Sequence, residues 1–304
     1  QEAASIKANK DKKVMRLSGV RQPTARRVLA FDSGIGGLSI VRALRAVAPD
    51  VNIDYLADTA VFPYGEQDDA VLIARIVSLL SDAIARLRPQ AVVVACNTAS
   101  TLALDALRAA CPTTPFIGCV PPIRWAARLS HTHVIGLLAT RATVRRPYLT
   151  RLHTQYAPDC TLIAHAAPGL AELAERVFRG QPVPDADFEQ ELQGLFAHPD
   201  AARMDMVGIG CTHYTFVLDR LRALSPASIT WLDPADAVAR QTCTILQECP
   251  PASTMRLEPP QAWFTAHPQG ASTLRARLPS YGFDTMALWS EKTLCPQPIA
   301  AAAP

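Results

Sequence analysis

The chain has 304 residues, of which 49% are hydrophobic and 19% are charged. This length and composition suit one large or two ordinary globular domains, and the apolar runs fall short of the ~18 residues of a membrane helix. The formal charge of +3 is uneven: residues 1–27 carry eight basic and two acidic residues, and the remainder carries 22 and 25. The positive net charge of the whole chain therefore does not indicate that its folded part binds nucleic acid.

Both ends of the chain are predicted to be tails. Residues 1–27 are basic and lack the apolar segment of a secretory signal peptide, and residues 291–304 are rich in alanine and proline. We expect both tails to be unstructured. None of the eight cysteines forms a C-x-x-C pair, which favours free thiols and a cytoplasmic protein.

From residue 28 onward, short apolar runs alternate with helical patterns. In the first half, strands are predicted for RVLAFDSG, VNIDYLAD, QAVVVACNT and TPFIGCV, and helices for GLSIVRALRAVAP, DDAVLIARIVSLLSDAIARLRP and ASTLALDALRAACP. Fully apolar strands separated by helices indicate a parallel sheet that is covered on both faces.

The same alternation then starts again. Strands are predicted for THVIGLLAT, CTLIAHAAP, MDMVGIGCT and SITWLDP, and helices for RATVRRPYLTRLHTQY, GLAELAERVFRG, YTFVLDRLRAL and ADAVARQTCTILQE. Cys96 and Cys211 occupy corresponding positions, 115 residues apart. We interpret this as an internal duplication of an α/β unit; chance similarity between two α/β segments is the alternative.

The predicted fold class is α/β, with two pseudo-symmetric doubly wound parallel-sheet domains that face each other across an active-site cleft. The first domain comprises residues 28–118 and 232–290 and carries Cys96. The second comprises residues 119–231 and carries Cys211. Ligands of open parallel sheets bind beyond the carboxyl ends of the strands, so the loops at those ends should meet in the cleft.

Each of the two cysteines ends a strand, and a helix is predicted to begin directly after it. A helix N-terminus presents free N–H groups and a positive partial charge, which stabilise a thiolate and lower its pKa from the usual value of about 8.5. Asn97, Thr98 and Thr212 can cap these helices or hold a carboxylate. A pair of equivalent thiols favours catalysis over the alternative of two buried structural cysteines.

Two further groups are candidates for assisting the thiols. Asp32 ends the first strand and could tune Cys96; alternatively it caps the following helix. His213, beside Cys211, could do the same on the second side, although a lone histidine is more often structural. Glycines 34, 36 and 37 allow close backbone approach to a ligand, but GIGG is not the dinucleotide fingerprint.

Cofactor chemistry is disfavoured by what the sequence lacks. Lysine occurs at positions 7, 10, 12, 13 and 292 only, so a pyridoxal phosphate Schiff base and a Walker A loop have no lysine in the core. No group of histidine, cysteine or acidic residues has the spacing of a metal-binding motif. Two acid/base thiols on opposite sides of a cleft can move a proton from one face of a carbon to the other. The residues therefore predict cofactor-independent racemisation or epimerisation next to a carboxylate, with no cofactor and no metal.

The motifs FDSGIGGL, LADTAVFPYG, ACNTAS, IGLLAT and GCTHY together resemble the glutamate racemase family, over roughly residues 28–290. The resemblance implies interconversion of L- and D-glutamate, which supplies D-glutamate for peptidoglycan. It implies Cys96 and Cys211 as the catalytic acid/base pair, assisted by Asp32, His213 and Glu175. The substrate-binding residues it implies are Asp32, Ser33, Tyr64, Gly65, Asn97, Thr98, Thr212 and His213.

Several alternatives remain open at this stage. An aspartate or hydantoin racemase of the same superfamily would use the same thiols. A thiol hydrolase would use one cysteine and leave the second idle. A regulatory protein that inhibits DNA gyrase, as some relatives do, is the least favoured. The resemblance further implies a homodimer, with no membrane or nucleic-acid partner.

Overall fold

The computed structural model describes residues 26–250 and 259–290. The tails predicted at the two ends lie outside these residues, apart from Arg26 and Arg27. Within the described part, no helix is long and apolar enough to cross a membrane.

Ten strands form two parallel sheets. They are β1 Arg27–Asp32, β2 Asn52–Ala57, β3 Ala91–Val94, β4 Phe116–Gly118, β5 Val134–Ala139, β6 Thr161–Ala166, β7 Met206–Gly210, β8 Thr230–Leu232, β9 Ala262–Phe264 and β10 Met286–Leu288. The first sheet has the order β10-β9-β2-β1-β3-β4 and the second the order β6-β5-β7-β8. All of their pairings are parallel. The predicted class, two α/β domains with parallel sheets, is confirmed; the predicted domain boundaries stay a prediction.

Eleven α-helices connect these strands in the described residues. They are α1 Leu38–Val47, α2 Asp69–Leu87, α3 Asn97–Ala110, α4 Ile123–Leu129, α5 Arg141–Arg145, α6 Pro147–Tyr156, α7 Leu170–Phe178, α8 Asp185–Phe196, α9 Leu218–Ala223, α10 Ala235–Glu248 and α11 Ala271–Arg277. Short 3-10 helices span Thr59–Val61, Tyr64–Glu66, Ala201–Arg203, Thr212–Val217 and Leu278–Tyr281.

The central strands are apolar because both faces of each sheet are covered. Every residue of β1, β3, β5 and β7 is buried. Such strands read as continuous apolar runs, and this is why the sequence reveals them. Asp32 is the last residue of β1, Cys96 follows β3 by two residues, and Cys211 directly follows β7. These three side chains are thereby placed at the carboxyl ends of central strands.

The structure differs from the predicted elements in several places, which include the unpredicted helices α4 and α11. The helix predicted after Cys211 is instead the 3-10 segment Thr212–Val217 followed by the short α9. The helix predicted as RATVRRPYLTRLHTQY is divided at Arg146, whose extended backbone precedes Pro147, because proline disfavours a helical residue before it. Strands β9 and β10 were not predicted; they are as short as β4 and β8 but lie outside the regular alternation of apolar runs and helical patterns.

Candidate active site

Cys96 and Cys211 line one small cavity between the two sheets. It measures about 30 Å³. Nine of the eleven predicted site residues line it, and these are Ser33, Tyr64, Gly65, Cys96, Asn97, Thr98, Cys211, Thr212 and His213. Asp32 and Glu175 are not part of the lining. A larger cavity of about 710 Å³ lies beside Trp125 and contains neither thiol, so the thiols, rather than cavity size, identify the candidate site.

Four further residues line the cavity and were missed by the sequence analysis: Phe62, Pro63, Thr140 and Ala171. Thr140 directly follows β5, so the rule that ligands bind at the carboxyl ends of strands could have identified it. The ring of Phe62 lies 5.3 Å from that of His213, centroid to centroid. Neither Phe62 nor Ala171 carries a group whose chemistry would single it out in a sequence.

Cys96 is held at the start of α3 in a buried position. Its thiol donates a weak hydrogen bond to Ser33 Oγ at 3.8 Å. Burial raises the pKa of Cys96 well above its usual value, and the charge of Asp32 raises it further. The backbone N–H of Ala99 and the Ser33 hydroxyl lower it by less. The helix N-terminus does lower this pKa, through the Ala99 N–H, but the cost of burying the thiolate exceeds that stabilisation, so the net shift is upward.

Asp32 is fully buried and does cap the chain that follows it. Its Oδ2 accepts hydrogen bonds from the backbone N–H groups of Gly34 at 3.2 Å and Gly37 at 3.0 Å. Its Oδ1 is buried and has no hydrogen-bond partner among the described residues. A buried carboxylate oxygen without a partner is rare in proteins. Asp32 does not line the cavity, so a ligand would reach this oxygen only if the lining moves. The carboxylate acts on Cys96 through its charge.

Cys211 belongs to a chain of polar contacts on the opposite side of the cavity. Its Sγ lies 3.9 Å from His213 Nδ1, and His213 Nε2 lies 3.2 Å from Glu175 Oε1. Glu175 Oε2 accepts a hydrogen bond of 2.8 Å from Arg179 Nη1. The sequence analysis had His213 and Glu175 as separate candidates, whereas the structure joins them into one chain that ends at the thiol.

These contacts set the charge state of the histidine and the carboxylate. Burial lowers the pKa of His213, but its hydrogen bonds to Cys211 and Glu175 outweigh burial and leave the pKa well above the usual value. Burial raises the pKa of Glu175, and its contacts with His213 and Arg179 outweigh this and lower it. The pair therefore favours an imidazolium beside a carboxylate.

The glycines of the GIGG loop make room for the other half of the molecule. A Cβ at Gly36 would lie 2.4 Å from His213 Nδ1, 2.6 Å from Thr212 Oγ1 and 2.8 Å from the His213 backbone nitrogen. A Cβ at Gly34 would lie 2.9 Å from Glu175 Oε1. We expected glycines 34, 36 and 37 to admit a ligand. The structure shows that Gly34 and Gly36 admit the Cys211 side of the site, whereas Gly37 packs against Asp32, Ala95 and Tyr55 of its own half.

Tyr64 forms part of the cavity wall, but its hydroxyl is already engaged. It donates a hydrogen bond of 2.7 Å to Asp58 Oδ2, and Asp58 also receives hydrogen bonds from Arg75 and from Thr265 Oγ1. Burial raises the pKa of Tyr64 well above its usual value, and the charge of Asp58 adds to this shift. A neutral, anchored tyrosine cannot serve as an acid/base here. Its contribution is to shape the wall.

Contacts between the two halves close the cavity at Thr98. Thr98 Oγ1 lies 3.2 Å from Thr140 Oγ1, and Arg146 Nη1 donates a hydrogen bond of 3.4 Å to the Thr98 carbonyl. Arg146 Nη2 also pairs with Asp69 at 2.6 Å. A volume of 30 Å³ is about the share of one water molecule in the liquid. Typical small-molecule sites measure ~300–1,000 Å³, so these contacts leave the cavity nearly closed.

Several known proteins are similar to this chain in sequence. The model of the Asp/Glu/hydantoin racemase family matches residues 38–242. The glutamate racemase of Granulibacter bethesdensis is 53% identical over 218 residues, which cover 72% of this chain and 78% of the relative. That of Brucella canis is 42% identical over 221 residues, covering 73% and 80%.

Solved structures are similar over both sheets. Escherichia coli glutamate racemase, in complex with L-glutamate and the activator UDP-MurNAc-Ala, matches with a TM-score of 0.81 at 34% identity, covering 88% of this chain and 98% of that one. Glutamate racemase from Thermus thermophilus, in complex with β-chloro-D-alanine, matches with a TM-score of 0.70 at 29% identity, covering 88% and 96%.

The close approach at Gly36 predicts a large difference between two glycine substitutions. Gly36→Ala should lower the free energy of unfolding by about 1–3 kcal/mol, because one of the atoms it meets is a backbone nitrogen that cannot rotate away. Gly65→Ala is the matched control, since its Cβ would meet no atom closer than 3.5 Å; it should change stability by less than about 0.5 kcal/mol. Urea unfolding of both variants measures the difference. Equal losses would contradict the assigned contact.

The charge of Asp32 predicts a shift in the titration of Cys96. A nearby negative charge disfavours the thiolate, so Asp32→Asn should lower the pKa of Cys96 and speed its alkylation at any pH below that pKa. The measurement is the pH dependence of iodoacetamide labelling at Cys96, followed by mass spectrometry. Asp82→Asn, in the same half, should leave the midpoint of the pH dependence of Cys96 labelling unchanged. A midpoint that rises in Asp32→Asn would refute the electrostatic assignment.

Proposed function

Because the chain belongs to the Asp/Glu/hydantoin racemase family, we propose that it interconverts L- and D-glutamate by proton transfer between two thiols and the substrate α-carbon. The observation that carries this proposal is that Cys96 and Cys211, from the two different sheets, line the same cavity. Glutamate is favoured over aspartate and hydantoins because the relatives at 53% and 42% identity are glutamate racemases.

The proposed mechanism uses the thiols in opposite roles. One of them, as thiolate, takes the α-proton from one face of the carbon, and the electron pair is left on a carbanion that the adjacent carboxylate stabilises. The other, as thiol, delivers its proton to the opposite face. The substrate neither gains nor loses atoms or electrons, and the two thiols exchange protonation states. In the reverse direction the roles are exchanged.

The unpartnered polar atoms of the site match the charged groups of an amino acid. Asn97 lines the cavity, and its buried Nδ2 has no hydrogen-bond partner among the described residues. It can donate to the substrate α-carboxylate. Asp32 Oδ1 can accept from the ammonium group. An ammonium beside Asp32 would offset the negative charge that raises the pKa of Cys96, so substrate binding would itself favour the Cys96 thiolate.

On the Cys211 side of the cavity, we propose that His213 assists the thiol, as Asp32 and the substrate ammonium group do for Cys96. In the proposed mechanism the contact between Sγ and Nδ1 lets a proton pass between Cys211 and His213, and Glu175 stabilises the imidazolium form of the histidine. The resulting arrangement resembles the thiol–imidazole pairs of cysteine enzymes. A hydrolase would use one thiol only, and the contacts around the other thiol would then have no role in the reaction. For this reason we prefer racemisation to hydrolysis.

The biological setting is proposed from the same activity. D-Glutamate formed by this reaction would supply peptidoglycan synthesis. Both thiols must stay reduced to act as acid and base, which fits a cytoplasmic location, and the seven cysteines of the described residues are free. The homodimer expected from the resemblance remains part of the proposal and is testable by analytical ultracentrifugation. No feature of the described residues argues for gyrase inhibition.

Serine substitutions at the two thiols test the mechanism. Cys96→Ser and Cys211→Ser should each lower kcat for glutamate racemisation by at least about a hundredfold in both directions, because a hydroxyl is a far weaker acid/base at neutral pH. The assay follows optical rotation and deuterium incorporation at the α-carbon in deuterated water. Cys243→Ser, remote from the cavity, should behave as wild type. Racemisation that survives in either variant would disprove the two-thiol mechanism, and turnover of aspartate but not glutamate would disprove the substrate.

Substitutions at Asn97 test the proposed carboxylate contact. Asn97→Ala should lower kcat/KM by roughly 10- to 100-fold, the range expected for a lost hydrogen bond to a charged group. Asn97→Asp should lower it further, since a carboxylate in the same place repels that of the substrate. Steady-state kinetics in both directions make the comparison. An Asn97→Asp variant more active than Asn97→Ala would place the substrate carboxylate elsewhere.

A further inference from the structure

Arg179 is a buried cation next to the site that neither the sequence analysis nor the cavity lining identified. It follows α7, and its side chain is 9% exposed. Nη1 donates to Glu175 Oε2 at 2.8 Å, and Nη2 pairs with Glu172 Oε1 at 3.2 Å. One guanidinium is thus shared between two carboxylates, and only one of these, Glu175, continues to His213 and Cys211.

The position of Arg179 is defined by the other half of the molecule. A Cβ at Gly270 would lie 2.6 Å from Arg179 Cδ, so the glycine, which also has a φ of +64°, leaves the space that the arginine stem occupies. Gly270 precedes α11, and Leu274 of α11 belongs to the core of the first sheet. The arginine is therefore packed against a segment anchored in the half that carries Cys96.

Glu175 needs such a partner in order to orient His213. Its two oxygens are divided between Arg179 and His213 Nε2, which fixes the plane of the carboxylate. The imidazole can turn Nδ1 toward Cys211 Sγ only while Nε2 is held. Without the arginine, the Glu175 side chain is free to rotate and to leave the histidine.

We propose that Arg179 is a positioning residue for the Cys211 half-reaction, holding Glu175 in the orientation that directs His213 toward the thiol. This rests on the proposed racemase function. Loss of a purely structural ion pair would affect the reactions of both thiols. Loss of Arg179 should affect the Cys211 reaction alone, because its contacts lead through Glu175 and His213 to that thiol.

Arg179→Met is the principal test, with Arg179→Lys and Arg220→Met beside it. Arg179→Met should lower kcat about tenfold or more, and Arg179→Lys, which keeps the charge, should recover most of the loss. Arg220 is the matched control, because it forms an ion pair with Asp185 and lies over the ring of Phe188 in the same half of the molecule. Arg220→Met should leave kcat unchanged.

Isotope effects separate the two half-reactions. The primary isotope effect of glutamate deuterated at the α-carbon is largest when removal of that deuteron limits the rate. Slowing the Cys211 step enlarges this effect for the enantiomer that Cys211 deprotonates and diminishes it for the other enantiomer. Arg179→Met should therefore change the ratio of the two isotope effects relative to wild type. A kcat loss with an unchanged ratio would overturn the proposal, because it marks a structural role.

Alkylation of the thiols tests the same inference without any turnover. Removal of the guanidinium and misorientation of the imidazole both disfavour the Cys211 thiolate, so iodoacetamide should label Cys211 more slowly in Arg179→Met and label Cys96 at the wild-type rate. Unchanged labelling of Cys211 overturns the role of Arg179 even if glutamate is racemised, and slower labelling supports it even if another amino acid is the substrate. Should Arg179→Met fail to fold, Arg179→Gln carries the same measurements.

Discussion

The structure depends on a backbone contact between its two halves. The loop after β1 approaches the turn after β7 so closely that no side chain fits at Gly36. This contact brings the carboxyl ends of two separate parallel sheets to one place, which neither sheet achieves by itself. The arrangement of the site follows from it: Asp32 and Cys96 come from one side, Cys211 and His213 come from the other, and both thiols line the cavity between them.

The two thiols occupy equivalent positions but different environments. Cys96 starts a regular α-helix, is buried beside a carboxylate, and has a raised pKa. Cys211 starts a 3-10 segment and contacts an imidazole whose own pKa is raised. A carboxylate thus lies near the thiol on one side, and a cationic imidazole contacts the thiol on the other. The duplication predicted from the sequence would account for the common position, and divergence of the neighbouring side chains would account for the difference in charge.

Much of this architecture can be predicted from the sequence. Buried parallel strands appear as apolar runs, and a cysteine that recurs at the end of a strand identifies Cys96 and Cys211 as a pair. The sequence is less informative where a property depends on distance. The net pKa shift of Cys96 could not be predicted, because the sequence shows the helix terminus and not the depth of burial. Arg179 carries no local pattern, since its partners Glu175 and Gly270 are selected by tertiary packing. Strands β9 and β10 are as short as β4 and β8, but they do not lie within the regular alternation of apolar runs and helical patterns that revealed those two.

The two thiols have unequal surroundings, although the substrate and product of a racemase are mirror images. The two enantiomers of glutamate have equal free energy in water, so kcat/KM must be the same in both directions whatever the enzyme does to either thiol. The enzyme is nevertheless free to place the higher barrier on either side of the carbanion. In the proposed mechanism, Asp32 and the His213–Glu175 pair could therefore change independently, each adjusting one proton transfer, while the equilibrium between the enantiomers is untouched. A duplicated fold with unequal thiols is in this respect no less suited to racemisation than a symmetric one.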